Sequence, residues 1–128
     1  MIEIEDLLGK PYKAHGRGEG GYDCYGLVIE VEKRFGHELP DLFYEYNGEN
    51  AGELVDGNYL EIAKKCGAVE VKEPEEGDVL IFENKDKQGS HIGVYLGERK
   101  FIHCNMRGVN VVNIDRFFYK WRAYSWQK

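Results

Sequence analysis

Asp23-Cys24-Tyr25-Gly26-Leu27-Val28-Ile29-Glu30-Val31-Glu32-Lys33-Arg34-Phe35-Gly36 is the stretch on which the fold turns. Its apolar residues Cys24, Leu27, Val28, Val31 and Phe35 fall at i, i+3, i+4, i+7 and i+11, which is one face of an α-helix. Glu30, Lys33 and Arg34 fall on the other face. Asp23 stands where an N-cap belongs and Gly36 where a C-terminal cap belongs. The spacing predicts a helix from about Cys24 to Phe35. Just upstream, Gly9, Gly16, Gly18, Gly20 and Gly21 predict an irregular loop leading into it.

Downstream, residues 37–50 carry Pro40, Asp41, Asn47 and Gly48 and read as a loop. Val55, Tyr59, Ile62, Ala63 and Cys66 form a second helical stripe, so a helix is expected across about Ala51–Cys66, ended by Gly67. After Gly67 the period changes from helical to alternating. Asp78–Phe82, His91–Leu96, Lys100–Cys104 and Val109–Ile114 read as strands, and the aromatic-rich Phe117–Trp126 closes the sheet. In His91–Leu96, Ile92, Val94 and Leu96 share one face, with His91, Gly93 and Tyr95 on the other, polar one. N-terminal helices followed by a C-terminal antiparallel β-sheet make an α+β class.

The 128 residues fit a single domain spanning 1–128, long enough to bury a core without disulfides or metal. Lys and Arg number 17 against 23 Asp and Glu, and a net charge of -6 repels phosphate, so nucleic acid is not expected as a ligand. No run approaches the roughly 18 apolar residues of a membrane span. The start, Met1-Ile2-Glu3-Ile4-Glu5-Asp6, lacks the basic and apolar regions of a secretory signal, so a cytoplasmic protein is expected as synthesised. Cys24, Cys66 and Cys104 include no Cys-x-x-Cys pair, which argues against a disulfide framework and a structural zinc site. No cofactor and no metal are expected.

Cys24 opens the first helix, where the partial positive charge of the helix N-terminus favours a thiolate. Its alternative role is the first core residue of the apolar stripe. A nucleophilic Cys needs a base, normally a His held by a third group. His15 and His37 fall in loops and read as solvated surface, while His91 and His103 fall in strands. A three-residue loop at Gly97-Glu98-Arg99 would set Gly93 opposite His103 and put both histidines on one face. A two-residue loop would put them on opposite faces. His103 and Cys104 are neighbours in a strand and cannot grip one ion, and Cys104 and Cys66 read as core.

Tyr-Asp-Cys-Tyr-Gly-Leu-Val at 22–28, Gly-Asp-Val-Leu at 77–80, His-Ile-Gly-Val-Tyr-Leu-Gly at 91–97 and Phe-Ile-His at 101–103 together resemble the NlpC family of papain-like cysteine peptidases. The resemblance runs from about Gly9 to Ile114 and implies a papain-like fold. It implies Cys24 as nucleophile, His91 as general base and His103 as the residue that orients the base. It further implies Tyr12 near the oxyanion. Asp23 matches the family's acidic neighbour, with substrate binding and N-capping as its two roles. The backbone N–H of Cys24 is a second oxyanion donor. The implied substrate is the peptidoglycan stem peptide, cut between D-γ-glutamyl and the following diamino acid.

Leu-Gly-Lys-Pro-Tyr at 8–12, the Tyr-Asp-Cys-Tyr-Gly form and the small size look most like the phage tail assembly members. That likeness implies phage tail proteins as partners and a virion tail or prophage setting. Tyr25 stands where cell-wall members commonly have Ser, which questions recognition of a free substrate amino end. Two alternatives to a wall hydrolase stand beside it. One is a structural tail module with little or no activity, and the other a related papain-like amidase on a non-wall substrate.

Overall fold

The computed structural model describes residues 2–39, 63, 67–83, 91–117 and 120–126. Helix α1 spans Cys24–Arg34. It starts where expected because the Asp23 carboxylate accepts the Gly26 backbone N–H at 2.6 Å, satisfying one of the orphan donors of the first turn. It stops at Phe35, followed by Gly36 at φ +93°. Leu27, Val28 and Val31 have no exposed surface, and each such burial contributes about 1.5–3 kcal/mol. The second expected helix, Ala51–Cys66, lies outside the described residues apart from Ala63, which is helical and buried. Cys66 lies outside them too.

Among the described residues, six antiparallel strands follow: β1 Ala68–Val71, β2 Val79–Glu83, β3 His91–Gly97, β4 Lys100–Asn105, β5 Gly108–Asn113 and β6 Lys120–Trp126. Their order across the sheet is β1-β6-β2-β3-β4-β5. The aromatic segment that closes the chain is therefore an interior strand, held between β1 and β2. β1 is missing from the sequence reading. It has four residues, half of them exposed, and carries too little apolar signal to announce itself.

Helix α1 packs on β3 and β4. Val79, Ile81, Ile92, Val94, Ile102 and Cys104 form one core with it. Leu80, Phe82, Tyr95, Phe101, Ile114 and Ala123 form a second core on the opposite face. This corrects the expectation of a polar face on the third strand. Gly93 and Tyr95 are as buried as Ile92 and Val94, so the alternation of β3 separates two interiors rather than core from solvent. Trp121, Phe117 and Val112 pack against the second core, and Trp126 and Leu96 against the first.

A buried carboxylate joins helix and sheet. Glu32 has no exposed surface, and the α1 reading assigned it no role. The Trp126 indole N–H donates to Glu32 Oε2, and the His37 Nδ1 lies 3.4 Å from Oε1. His37 is half-buried against this carboxyl and the Trp126 ring, not solvated surface. Burial pushes the Glu32 carboxyl up to about 8, the Trp126 hydrogen bond opposes this, and nearby Asp78 adds to it. The folded state therefore holds a proton that the unfolded chain, with an ordinary carboxyl near 4.5, releases. Stability is fully present below the ordinary value and falls as pH rises towards about 8, by up to about 1.4 kcal/mol per pH unit. Glu32→Gln keeps the acceptor for Trp126 and removes the proton. Its melting temperature should gain on the wild type steadily from pH 5 to pH 8. Parallel melting curves across that range would overturn the assignment.

Among the described residues, no helix is long and apolar enough to cross a membrane.

Candidate active site

The loop before α1 is held backbone to backbone. Tyr12 forms a parallel bridge with Tyr22, with Tyr22 N donating to Pro11 O at 3.0 Å and Lys13 N to Tyr22 O at 2.9 Å. Gly9 N donates to Val109 O at 3.0 Å and Val109 N to Lys10 O at 2.9 Å, which ties the same segment to β5. Tyr12 is thereby set one strand-width from Tyr22, two residues before Cys24, with its side chain 38% exposed. His15 is exposed.

Gly26 shows how tightly the loop meets the helix. A Cβ there would lie 2.0 Å from the Gly16 carbonyl oxygen. That space belongs to the cap: Arg17 Nη1 donates to Gly16 O at 2.8 Å and to Asp23 Oδ1 at 2.9 Å. The Asp23 carboxylate, 6% exposed, thus serves both the helix terminus and Arg17. Tyr25 is a core residue, 1% exposed, with the Arg17 guanidinium 5.9 Å from its ring centroid. Its bulk faces the interior.

Cys24 is the first residue of α1 and is partly exposed. The Cys104 thiol donates to Tyr22 O at 3.1 Å, pinning the Cys24 end of the helix to the His103–Cys104 end of β4. Cys104 itself is buried, and burial pushes its thiol up to about 11, so it stays protonated.

The β3–β4 hairpin turns on two residues, not three. Glu98 and Arg99 both have positive φ, at 53° and 65°, the backbone of a tight hairpin turn. Arg99 N donates to Tyr95 Oη at 2.9 Å, and the Arg99 side chain pairs with Asp115. Read alone, a two-residue turn would send the histidines to opposite faces. A register shift between Tyr95 and Gly97 supplies the missing residue, since a bulge adds one residue to one strand and reverses parity. Val94 then pairs with Ile102 and Tyr95 with Phe101, which carries Gly93 opposite His103.

The outcome is one imidazole pair. His91 Nε2 lies 2.7 Å from His103 Nδ1, with the rings edge to face. Gly93 makes this approach possible, because a Cβ there would meet the Ile102 carbonyl at 2.9 Å, the Phe101 ring at 3.0 Å and His103 Cβ at 3.3 Å. Phe82, Phe101 and Phe117 wall the pair with rings 5.0–6.4 Å away. Burial lowers the proton affinity of His91, and the neighbouring His103 lowers it further. Burial also lowers that of His103, opposed by its bond to Asn110. Both rings are neutral at neutral pH.

Asn110 is the residue the sequence reading missed. It sits directly across from His103 in the β4–β5 ladder, with Oδ1 3.0 Å from His103 Nε2. Its only signal in sequence is a polar residue between Val109 and Val111, seven positions after His103.

Through the Cys104–Tyr22 bond, the start of α1 that carries Cys24 lies against the end of β4 that carries His103. The imidazoles project from the strands on the side away from Ile92 and Cys104. Such a set offers a nucleophile at a helix N-terminus, a neutral base and a partner for the base. Among the described residues, no cluster of three or more His, Cys, Asp or Glu is gathered as a metal would require.

Residues 9–127 match the model of the NlpC/P60 family. The probable peptidoglycan endopeptidase LytE of Bacillus subtilis is 26% identical over 121 residues, covering 94% of this chain and 30% of that protein. The murein DD-endopeptidase MepS/murein LD-carboxypeptidase of Escherichia coli K12 is 27% identical over 124 residues, covering 95% and 57%. The chain therefore spans from under a third to somewhat over half the length of these curated relatives. The solved structure of NlpC1 from Trichomonas vaginalis superposes with a TM-score of 0.69 at 17% identity, covering 96% of this chain and 41% of that one.

Proposed function

The chain belongs to the NlpC/P60 family, and from that premise we propose that it is a cysteine peptidase that hydrolyses peptidoglycan stem peptides. What supports the proposal is the 2.7 Å His91–His103 pair, together with the Cys104–Tyr22 bond that holds the start of the Cys24 helix against the His103 end of β4. Cys24 attacks the amide carbon as His91 takes the thiol proton. His91 then returns that proton to the leaving amine, and water, deprotonated by the same ring, releases the acyl-enzyme. His103 holds His91 in place. The Cys24 N–H and the Tyr12 hydroxyl stabilise the oxyanion. Asp23 acts by fixing the helix start that presents the thiol.

The bond is the amide between D-γ-glutamyl and the following diamino acid, as the motif resemblance implies. The two curated relatives are named for cell-wall chemistry, and MepS for other bonds of the same polymer. The setting is a phage or prophage tail, supported by the Leu8–Tyr12 opening and the Tyr22–Gly26 form.

The test is digestion. The protein is incubated with purified peptidoglycan fragments, with and without prior iodoacetamide treatment, and the products are read by mass spectrometry. New fragments from the untreated protein alone support the proposal, and their masses name the bond. Peptide mapping of the treated protein should find the adduct on Cys24 and none on Cys104. No cleavage by untreated protein overturns the peptidase reading in favour of a structural tail module.

A further inference from the structure

The His91–His103 pair has a proton pattern that depends on a residue outside the three proposed catalytic groups. We infer that Asn110 is a positioning residue that fixes the tautomer of both histidines, leaving Nδ1 of His91 as the bare nitrogen available to the thiol. For its catalytic consequence the inference rests on the peptidase reading above.

The chain of bonds starts at backbone. The Gly108 carbonyl can only accept, and the Asn110 Nδ2 lies 3.0 Å from it. Rotating the amide would set two oxygens against each other at that distance, so the NH2 faces Gly108 and Oδ1 faces His103. That Oδ1, 3.0 Å from His103 Nε2, can only accept, so His103 carries its proton on Nε2. A neutral imidazole has one N–H, which leaves His103 Nδ1 as an acceptor. His91 Nε2, 2.7 Å away, must then be the donor. The remaining lone pair of His91 is on Nδ1.

The anchor of this chain is rigid. Gly108 has φ +100°, and a Cβ there would lie 2.6 Å from the Lys10 carbonyl oxygen. Val109 N donates to that same oxygen. Asn110 and His103 are direct cross-strand partners, so ladder geometry sets their separation. Burial keeps both rings neutral, which is the condition under which a tautomer is worth fixing. Without the Oδ1 acceptor, His103 could carry its proton on Nδ1 and donate towards His91. That would push the His91 proton onto Nδ1 and remove the base.

The test reads tautomers directly. Long-range ¹H–¹⁵N spectra of the uniformly labelled protein near pH 7 should show His103 and His91 both protonated at Nε2 and bare at Nδ1. Asn110→Leu should convert one or both rings to a mixture. If cleavage is followed in parallel, Asn110→Leu should lose roughly 10–100-fold in kcat, the usual range for an orienting partner, with KM little changed. A wild-type His103 protonated at Nδ1 overturns the inference whether or not the leucine variant folds. So does a folded Asn110→Leu protein with unchanged tautomers. The spectra need no substrate, so the single tautomer seen in a protein that cleaves nothing supports the Asn110 assignment while overturning the peptidase reading.

Discussion

Alanine at Cys24 is expected to lower turnover of a stem-peptide substrate by at least about 10⁴-fold, the scale on which a hydrolase loses rate when its nucleophile is removed. The imidazole pair and the oxyanion donors would remain, but there would be no sulfur to form the acyl-enzyme. The fold should survive. Cys24 is partly exposed and packs only at the margin of the first core, so deleting its sulfur opens little cavity, and the Asp23 cap acts through the Gly26 N–H rather than through Cys24. The melting temperature should stay within a few degrees of the wild type. The measurement pairs a thermal melt with product formation by mass spectrometry. A folded Cys24→Ala protein that still cleaves at a comparable rate would sink the mechanism. An unfolded one would show that Cys24 acts as a core residue, and Cys24→Ser would then carry the test.

Gly26→Ala should have the largest effect on stability. Helix propensity alone favours the change by up to about 1 kcal/mol. Tertiary structure reverses the sign, because the new Cβ would sit 2.0 Å from the Gly16 carbonyl oxygen, with Arg17 Nη1 at 2.9 Å and Asp23 Oδ1 at 3.0 Å. The nearest atom is backbone, held by the Arg17 and loop hydrogen bonds, and has no rotamer by which to retreat. Either the loop or the helix start must move. Overpacking costs about 1–3 kcal/mol or more, and a displaced Asp23 cap about 1 kcal/mol besides. A net loss near 3 kcal/mol corresponds to a fall in melting temperature of roughly 10 °C for a domain of this size. A melt within two degrees of the wild type would show that the contact relaxes freely. Because the same movement shifts the segment that presents Cys24, any surviving activity should fall further than the folded fraction alone explains.

Much was legible in the chain because it is local. The α1 stripe, the Asp23 cap and the Gly36 stop are written within fourteen consecutive residues, and observed α1 differs from the reading only at its last residue. β2, β3, β4 and β6 announce themselves by short apolar or alternating runs. The clustered motifs around residues 24, 91 and 103 named the family that the match over residues 9–127 bears out.

What stayed hidden depends on residues far apart in sequence. A turn of two residues forbids the histidine pair, and a bulge at Leu96 permits it. Parity along a hairpin depends on both, and only the ladder with β4 displays the second. Glu32 looks like one more charge on a helix until Trp126, 94 positions away, donates to it. The polar face assigned to β3 vanished because a second core covers it, and that core gathers residues from Leu80 to Ala123. Asn110 is one polar residue among valines until the β4–β5 register sets it against His103. Local periodicity and capping determined which elements form, because those signals are read within one or two turns of chain. Which side chains meet was decided by strand order, register and a single bulge, because hydrogen bonds between residues 7 to 94 positions apart exist only once the sheet has closed.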